Sequence, residues 1–104
     1  MVERETLIRQ LNNVVEKLEY HLQKYKGYKS QFQHSKSSKA KNKALENMAF
    51  HAKYMLSTLL QDEVLKIIEN GNQFQFEDFT KYAASDVPDY IKKIKKYIEK
   101  LQQE

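Results

Sequence analysis

Apolar residues recur at intervals of three and four along the first quarter of the chain. On a helix this spacing forms one apolar arc with polar residues on the opposite side. The pattern predicts a helix from about Glu3 to about Lys26. Gly27 is a candidate end, and an extension by one or two turns is the alternative, because Tyr28 and Phe32 continue the phase. The arc consists of Leu7, Ile8, Leu11, Val14, Val15, Leu18, Leu22 and Tyr25.

A second helix is predicted to begin within "SSKAKNKALE" (37–46) and to end at "ENGN" (69–72), where Gly71 suits the left-handed C-terminal position. It is apolar on two sides, which is typical of a helix between two neighbours. Glu63 falls in phase with the first side, which predicts a kink there or last turns that leave the core. One side carries Leu45, Met48, Ala49, Ala52, Met55, Leu56, Leu59 and Leu60, and the other carries Phe50, Tyr54, Leu65 and Ile68.

The last third of the chain predicts a short helix and then a long one. The short helix carries Phe74, Phe76, Phe79 and Tyr82 and is expected to cap one end of a bundle. Ser85 or Asp86 is the expected cap of the long helix, with Pro88 tolerated in its first turn. The apolar stripe of the long helix consists of Val87, Ile91, Ile94, Ile98 and Leu101.

Length and composition favour one all-α domain. One proline and two glycines in 104 residues are too few for the many turns of a sheet protein. We therefore expect residues 1–104 to form a single helical domain. Its architecture is predicted to be an elongated up-down-up bundle of three long helices plus one short capping helix.

Charge is segregated along the chain, although the net charge is only +4. The segment 24–44 holds seven lysines and no acidic residue, whereas acidic residues outnumber lysines in 62–89. Such segregation says more about partners than the net charge does. It predicts a lysine-rich pole at one end of the bundle and a carboxylate-rich pole at the other.

Catalytic and metal-binding patterns are missing from the sequence. There is no cysteine, no glycine-rich phosphate loop and no HExxH motif, and His21, His34 and His51 have no helical metal-binding spacing. We expect a protein without catalytic residues, metal or other cofactor. No apolar run approaches the roughly 20 residues of a membrane span, and "MVERETLIRQ" is too polar for a secretory signal. A cytoplasmic location is the expectation.

Two sets of residues are candidate binding surfaces. The apolar set Phe50, Tyr54, Leu65 and Ile68 is a candidate protein interface or homodimer contact, unless the bundle itself covers it. The basic set is a candidate contact for an acidic partner, and its interleaved aromatic residues make nucleic acid the alternative ligand. Its residues are Lys24, Lys26, Lys29, Lys36, Lys39, Lys41 and Lys43.

In size, basicity and expected bundle architecture, the chain is similar to the small immunity proteins that protect low-GC Gram-positive bacteria from class II bacteriocins. That resemblance implies a non-catalytic protein-binding role. We therefore expect an inhibitor, adaptor or immunity-type protein, bacterial or encoded by a mobile element, that acts through its lysine-rich pole and an apolar helix face. A non-specific nucleic-acid-binding protein is the alternative, and a structural homo-oligomer is the third hypothesis.

Overall fold

Four α-helices are present in the computed structural model, which describes the backbone of residues 3–68 and 79–104 and the side chains of 3–68 and 83–104. They are α1 (Arg4–His34), α2 (Ser38–Leu59), α3 (Asp62–Ile68) and α4 (Phe79–Gln103). The molecule is elongated, with extents of 53 × 24 × 19 Å. No strand occurs in the described ranges, and the predicted all-α bundle of long helices with a short one is confirmed.

Helix α1 continues through Gly27 and ends at His34, so the longer of the two predicted alternatives is the observed one. Tyr28 and Phe32 explain the extension, because both are half-buried and pack against the core. A Cβ atom placed on Gly27 would meet nothing within 4 Å. Packing of the apolar face therefore outweighs the weak helix propensity of one glycine.

Two serines define the three-residue connection between α1 and α2. The Ser35 hydroxyl donates to the Gln31 carbonyl at 2.6 Å and satisfies an acceptor in the last turn of α1. The Ser37 hydroxyl accepts from the Ala40 amide at 3.0 Å and is the N-cap of α2. These bonds supply partners for backbone groups that a helix end leaves unpaired. The basic segment is therefore a helical hairpin rather than a long loop.

The predicted second helix is divided close to Glu63, where a kink was one of the two expectations: α2 ends at Leu59 and α3 begins at Asp62. The Thr58 hydroxyl donates to the Tyr54 carbonyl, a bond that bends helices. The Gln61 carbonyl then accepts from the Val64 amide at 2.9 Å and starts α3. The bend lets Leu59 and Val64, both at 0% exposure, reach the same core.

Helix α4 begins at Phe79, so the prediction of a cap at Ser85 or Asp86 is wrong and Pro88 lies inside the helix. Ala83 and Val87 are fully buried in phase with the apolar stripe of α4. Their burial stabilises helical turns that proline alone would disfavour. Of the predicted short capping helix, Phe74 and Phe76 lie outside the described residues, as does the expected helix end at Gly71.

The core lies between α1, α2 and α4, with α3 against α4. Leu45, which the sequence places on the first apolar side of the second helix, is 47% exposed, whereas Ala44 is buried. The two positions differ by about 100° around a helix, so a phase error of one residue accounts for the difference. The buried apolar residues are Leu11, Val14, Val15, Leu18, Leu22, Tyr25, Ala44, Met48, Ala52, Met55, Leu59, Val64, Ile68, Ala83, Val87, Ile91, Ile94 and Ile98.

No described helix is long and apolar enough to cross a membrane.

Candidate functional site

Four aromatic rings from α1 and α2 alternate in one stack across the hairpin. The ring of Tyr28 stacks on that of His51, with centroids 5.7 Å apart and planes inclined by 17°. His51 adjoins His21 at 5.1 Å, and His21 stacks on Tyr54 at 5.2 Å with planes inclined by 8°. Each helix contributes every second ring, so the stack fixes the register of the two helices at this point.

The two central rings share a hydrogen bond. Nδ1 of His21 lies 2.9 Å from Nδ1 of His51. One of these nitrogens must therefore carry the proton and donate it, while the other accepts. Burial lowers the pKa of both histidines, and the pKa of His51 is lowered further by the charges of His21 and Lys24. Near neutral pH the pair is therefore held without a net charge.

Two exposed aromatic side chains, Tyr20 and Phe50, flank the stack. Together with the four stacked rings they form what we call the aromatic patch: Tyr20, His21, Tyr28, Phe50, His51 and Tyr54. The ring of Phe50 meets the edge of Tyr54 at 4.8 Å and that of His51 at 5.3 Å. Tyr20 meets the edge of His21 at 5.1 Å. Phe50 is 53% exposed and Tyr54 49% exposed. The patch thus presents large apolar surface to solvent on a rigidly packed base.

The lysines of the basic set do not all lie in one place. Lys24 adjoins the aromatic patch, where its Nζ lies 5.7 Å from the centroid of the Tyr20 ring, within the range of a cation–π contact. Lys26 is exposed on α1, Lys29 is half-buried, and Lys36 lies in the connection. The remaining three, Lys39, Lys41 and Lys43, are exposed in the first turns of α2.

Two surface grooves adjoin the aromatic patch, and a lysine lines each of them. The first, of about 520 Å³, runs over Gly27 and is lined by Tyr20, Lys24 and Tyr28 among others. The second, of about 560 Å³, lies between the end of α1 and the start of α2 and includes Tyr28 and Lys43. Tyr28 borders both grooves, which makes the patch and the hairpin one continuous surface.

The predicted interface of four apolar residues is divided by the break between α2 and α3. Phe50 and Tyr54 lie together on the exposed face of α2, as the sequence indicates. Leu65 and Ile68 belong to α3, where Leu65 is half-buried against the core and Ile68 is only 3% exposed. The usable apolar surface is therefore Phe50 and Tyr54, together with residues of α1 that the sequence prediction did not include.

Positive charge also occurs away from the hairpin. A groove of about 670 Å³ between α3 and α4 is lined by Lys66, Lys93, Lys96 and Lys100, with Glu99 beside them. The segregation of lysines and carboxylates into two poles is therefore less complete than the linear sequence predicts.

Sequence reasoning missed the contributions of His21, His51 and Tyr20. His21 and Tyr28 are seven residues apart, and the spacing places them on one side of α1 beside its core residues. That spacing was a usable signal, but the partners on α2 depend on the register of the hairpin, which the sequence does not specify.

The described residues contain no group of three or more histidine, cysteine, aspartate or glutamate side chains placed to hold a metal ion. In the same part of the chain, no buried side-chain nitrogen or oxygen lacks a hydrogen-bond partner. The arrangement can hold a proton between two imidazoles, and it can present aromatic and ammonium groups to a ligand.

Comparisons with known proteins add no further constraint. No protein-family model matches the sequence, and no curated protein or solved structure does.

Proposed function

We propose that this protein is a non-catalytic protein-binding module whose docking surface is the aromatic patch with its flanking lysines. Its partner is a protein that presents an apolar side chain surrounded by carboxylates. An inhibitor, adaptor or immunity-type role, exerted in the cytoplasm, fits such a surface.

The exposure of Phe50 and Tyr54 carries this proposal. Exposed aromatic side chains clustered on one face are typical anchors of protein interfaces. Both rings are already held in place by ring contacts within the patch. A partner that docks there has little side-chain motion left to restrict, so a smaller part of the binding free energy is lost as entropy.

Charge complementarity favours an acidic partner. Lys24 and Lys43 border the two grooves next to the patch. Lys39 and Lys41 lie in the first turns of α2, where the helix dipole is also positive and no acidic residue offsets it. Carboxylates at the edge of a docked partner would be attracted there, mainly accelerating association.

The proposal is tested by capturing the partner and then shortening the two apolar anchors. A photo-reactive amino acid at position 50 captures the partner in cells that produce the protein. The affinity of the captured protein for the wild type and for each variant is then measured. Phe50→Ser and Tyr54→Ser should each weaken binding by about 30-fold or more, the effect of losing an interface hot spot.

Tyr97→Ser is the matched control, because Tyr97 is a partly exposed tyrosine on α4, 37% accessible. It should leave the affinity unchanged. Lys24→Gln and Lys43→Gln should slow association and reduce its dependence on salt. A partner that binds equally well to the wild type and to both anchor variants would rule out the aromatic patch as the docking surface.

Nucleic acid is the second candidate ligand, favoured by the groove in which Lys24 adjoins Tyr20 and Tyr28. The aromatic residues that interleave with the lysines offer little stacking surface, however. Tyr25 is 1% exposed, and Tyr28 and Phe32 are half-buried against the core. The lysines would therefore have to provide most of the affinity.

A salt series distinguishes this candidate from the first. About six phosphate contacts would give a slope near −5 in a plot of log affinity against log salt concentration. Conversion of Lys36, Lys39, Lys41 and Lys43 to glutamine would flatten that slope. Tight binding with this salt dependence would favour the nucleic-acid function, whereas the protein-binding proposal expects none at physiological salt.

A further inference from the structure

The His21–His51 hydrogen bond lies within the proposed docking surface, directly behind its exposed rings. We propose that proton uptake by this pair switches the geometry of the aromatic patch, so that docking of the acidic partner weakens between neutral and mildly acidic pH. The effect on docking rests on the proposed function, whereas the switch itself is a property of the free protein.

The switch follows from the number of protons that the contact can hold. At 2.9 Å between the two Nδ1 atoms there is room for one hydrogen. A fully protonated histidine carries a hydrogen on both ring nitrogens and has no acceptor left. When solvent protons charge both rings, two N–H groups would face each other, and one ring must turn away.

A turn of either ring alters the exposed surface, because each is stacked on a tyrosine. His21 lies flat against Tyr54, and His51 lies flat against Tyr28. Phe50 contacts His51 and Tyr54 through ring edges. The positions of both docking anchors, Phe50 and Tyr54, therefore depend on the orientation of the two histidine rings. When these rings separate, the anchors lose ring contacts that hold them in place.

The groups around the pair do not stabilise added positive charge, so its proton uptake occurs below the ordinary pKa of histidine. Among the described residues, α1 contributes Tyr20, Lys24 and Tyr28, and α2 contributes Tyr54. No described carboxylate contributes to the pKa shift of either histidine. The ring contacts and the hydrogen bond of the pair join it to described residues of α1 and α2. None of these named groups compensates a second positive charge on the pair.

The added charge also attracts an acidic partner, but this effect is the smaller one. An exposed ion pair changes affinity by about fivefold at most. The loss of an aromatic anchor reduces affinity by about 30-fold or more. The net effect of proton uptake is therefore weaker docking.

The test follows the aromatic and histidine ring signals of the free protein by NMR from about pH 8 to about pH 5, the range in which histidine titrates. Signals of Phe50 and Tyr54 should shift together with those of His21 and His51, at a midpoint below the ordinary histidine value of about 6.5. The shift should vanish in both His21→Gln and His51→Gln. It should remain in His34→Gln, because His34 is exposed and bonds to the Ser30 carbonyl.

Circular dichroism on the same samples separates a local switch from unfolding, and helicity should stay constant through the transition. The proposal is overturned if the Phe50 and Tyr54 signals do not move in the wild type, if they still move in both glutamine variants, or if helicity falls at the same midpoint. Because no partner is needed, a negative result here leaves the docking function intact. Equal partner affinity for Phe50→Ser and the wild type would contradict docking but not the switch.

Discussion

Glu19 Oε1 lies 3.0 Å from Lys95 Nζ, and this ion pair joins the surfaces of α1 and α4. Both side chains are about half exposed, at 49% for Glu19 and 56% for Lys95. Leu18, the neighbour of Glu19 along the chain, is fully buried in the core instead. These two adjacent positions of α1 therefore allow the contribution of a surface ion pair to stability to be compared with that of apolar packing.

We expect Leu18→Ala to lower the free energy of unfolding by about 2–5 kcal/mol, because it removes buried methyl groups and leaves a cavity. Glu19→Gln should cost less than about 1 kcal/mol, since water and salt screen an exposed ion pair. Urea unfolding followed by circular dichroism measures both changes. Equal losses for the two variants would mean that the ion pair contributes as much to stability as the core does.

Gly27→Ala should stabilise the protein by about 0.5–1 kcal/mol, the difference in helix propensity between glycine and alanine. The position lies inside α1, is exposed, and has space for a methyl group. Lys26→Ala is the control and should change the free energy of unfolding by less than about 0.5 kcal/mol. If Gly27→Ala instead destabilised the protein, a continuous helix through this residue would be contradicted.

The helices could be predicted from the sequence where apolar residues recur at regular helical spacing. The predictions failed where tertiary packing overrides a local sequence signal. The arc from Leu11 to Tyr25 has no competing interpretation, and α1 follows it. At Leu59 the apolar pattern runs on, although the chain bends to bury both Leu59 and Val64. Ser85 and Pro88 resemble a helix start, yet the burial of Ala83 and Val87 outweighs that signal.

The candidate site was only half predictable. Phe50 and Tyr54 are visible in the sequence as a second apolar side of one helix. The His21–His51 contact joins residues that are 30 positions apart. It depends on the length of the turn at Ser35–Ser37 and on helix register, and no local pattern encodes either.

The free energy of unfolding should decrease as the pH falls below about 6.5, the ordinary pKa of histidine in an unfolded chain. In the folded protein the pKa values of His21 and His51 are lowered, so the unfolded chain binds more protons in this range. Their contribution to stability is therefore complete above that pH, and it is lost progressively as the pH falls through the folded-state pKa values.

His51→Gln should lose less stability than the wild type on acidification, because it removes one of the two titrating rings. The measurement is urea unfolding at about pH 7.5 and about pH 5.5, on either side of the histidine pKa. His34→Gln controls for the loss of a histidine outside the pair and should follow the wild type. Parallel losses in all three proteins would assign the pH dependence to other groups.

Any homodimer should form through Phe50 and Tyr54 rather than through opposite charges. Apolar packing is nearly indifferent to salt, whereas contacts between exposed charges are screened within about 4 Å at roughly 0.5 M NaCl. The dimer should therefore persist at that salt concentration and weaken in Phe50→Ser and Tyr54→Ser. Sedimentation across a salt series measures this, and a dimer that dissociates on addition of salt would place the interface at the charged surfaces.

The short serine-bounded connection at Ser35–Ser37 has a consequence for the rate of folding. Closing so small a loop costs little chain entropy, so α1 and α2 can meet early in folding. Their pairing already assembles the whole aromatic patch, since all six of its residues belong to these two helices. Helix α4 follows a longer segment and has to be ordered at greater entropic cost. The surface that we propose for docking is therefore expected to form in the first folding event, ahead of the completed core.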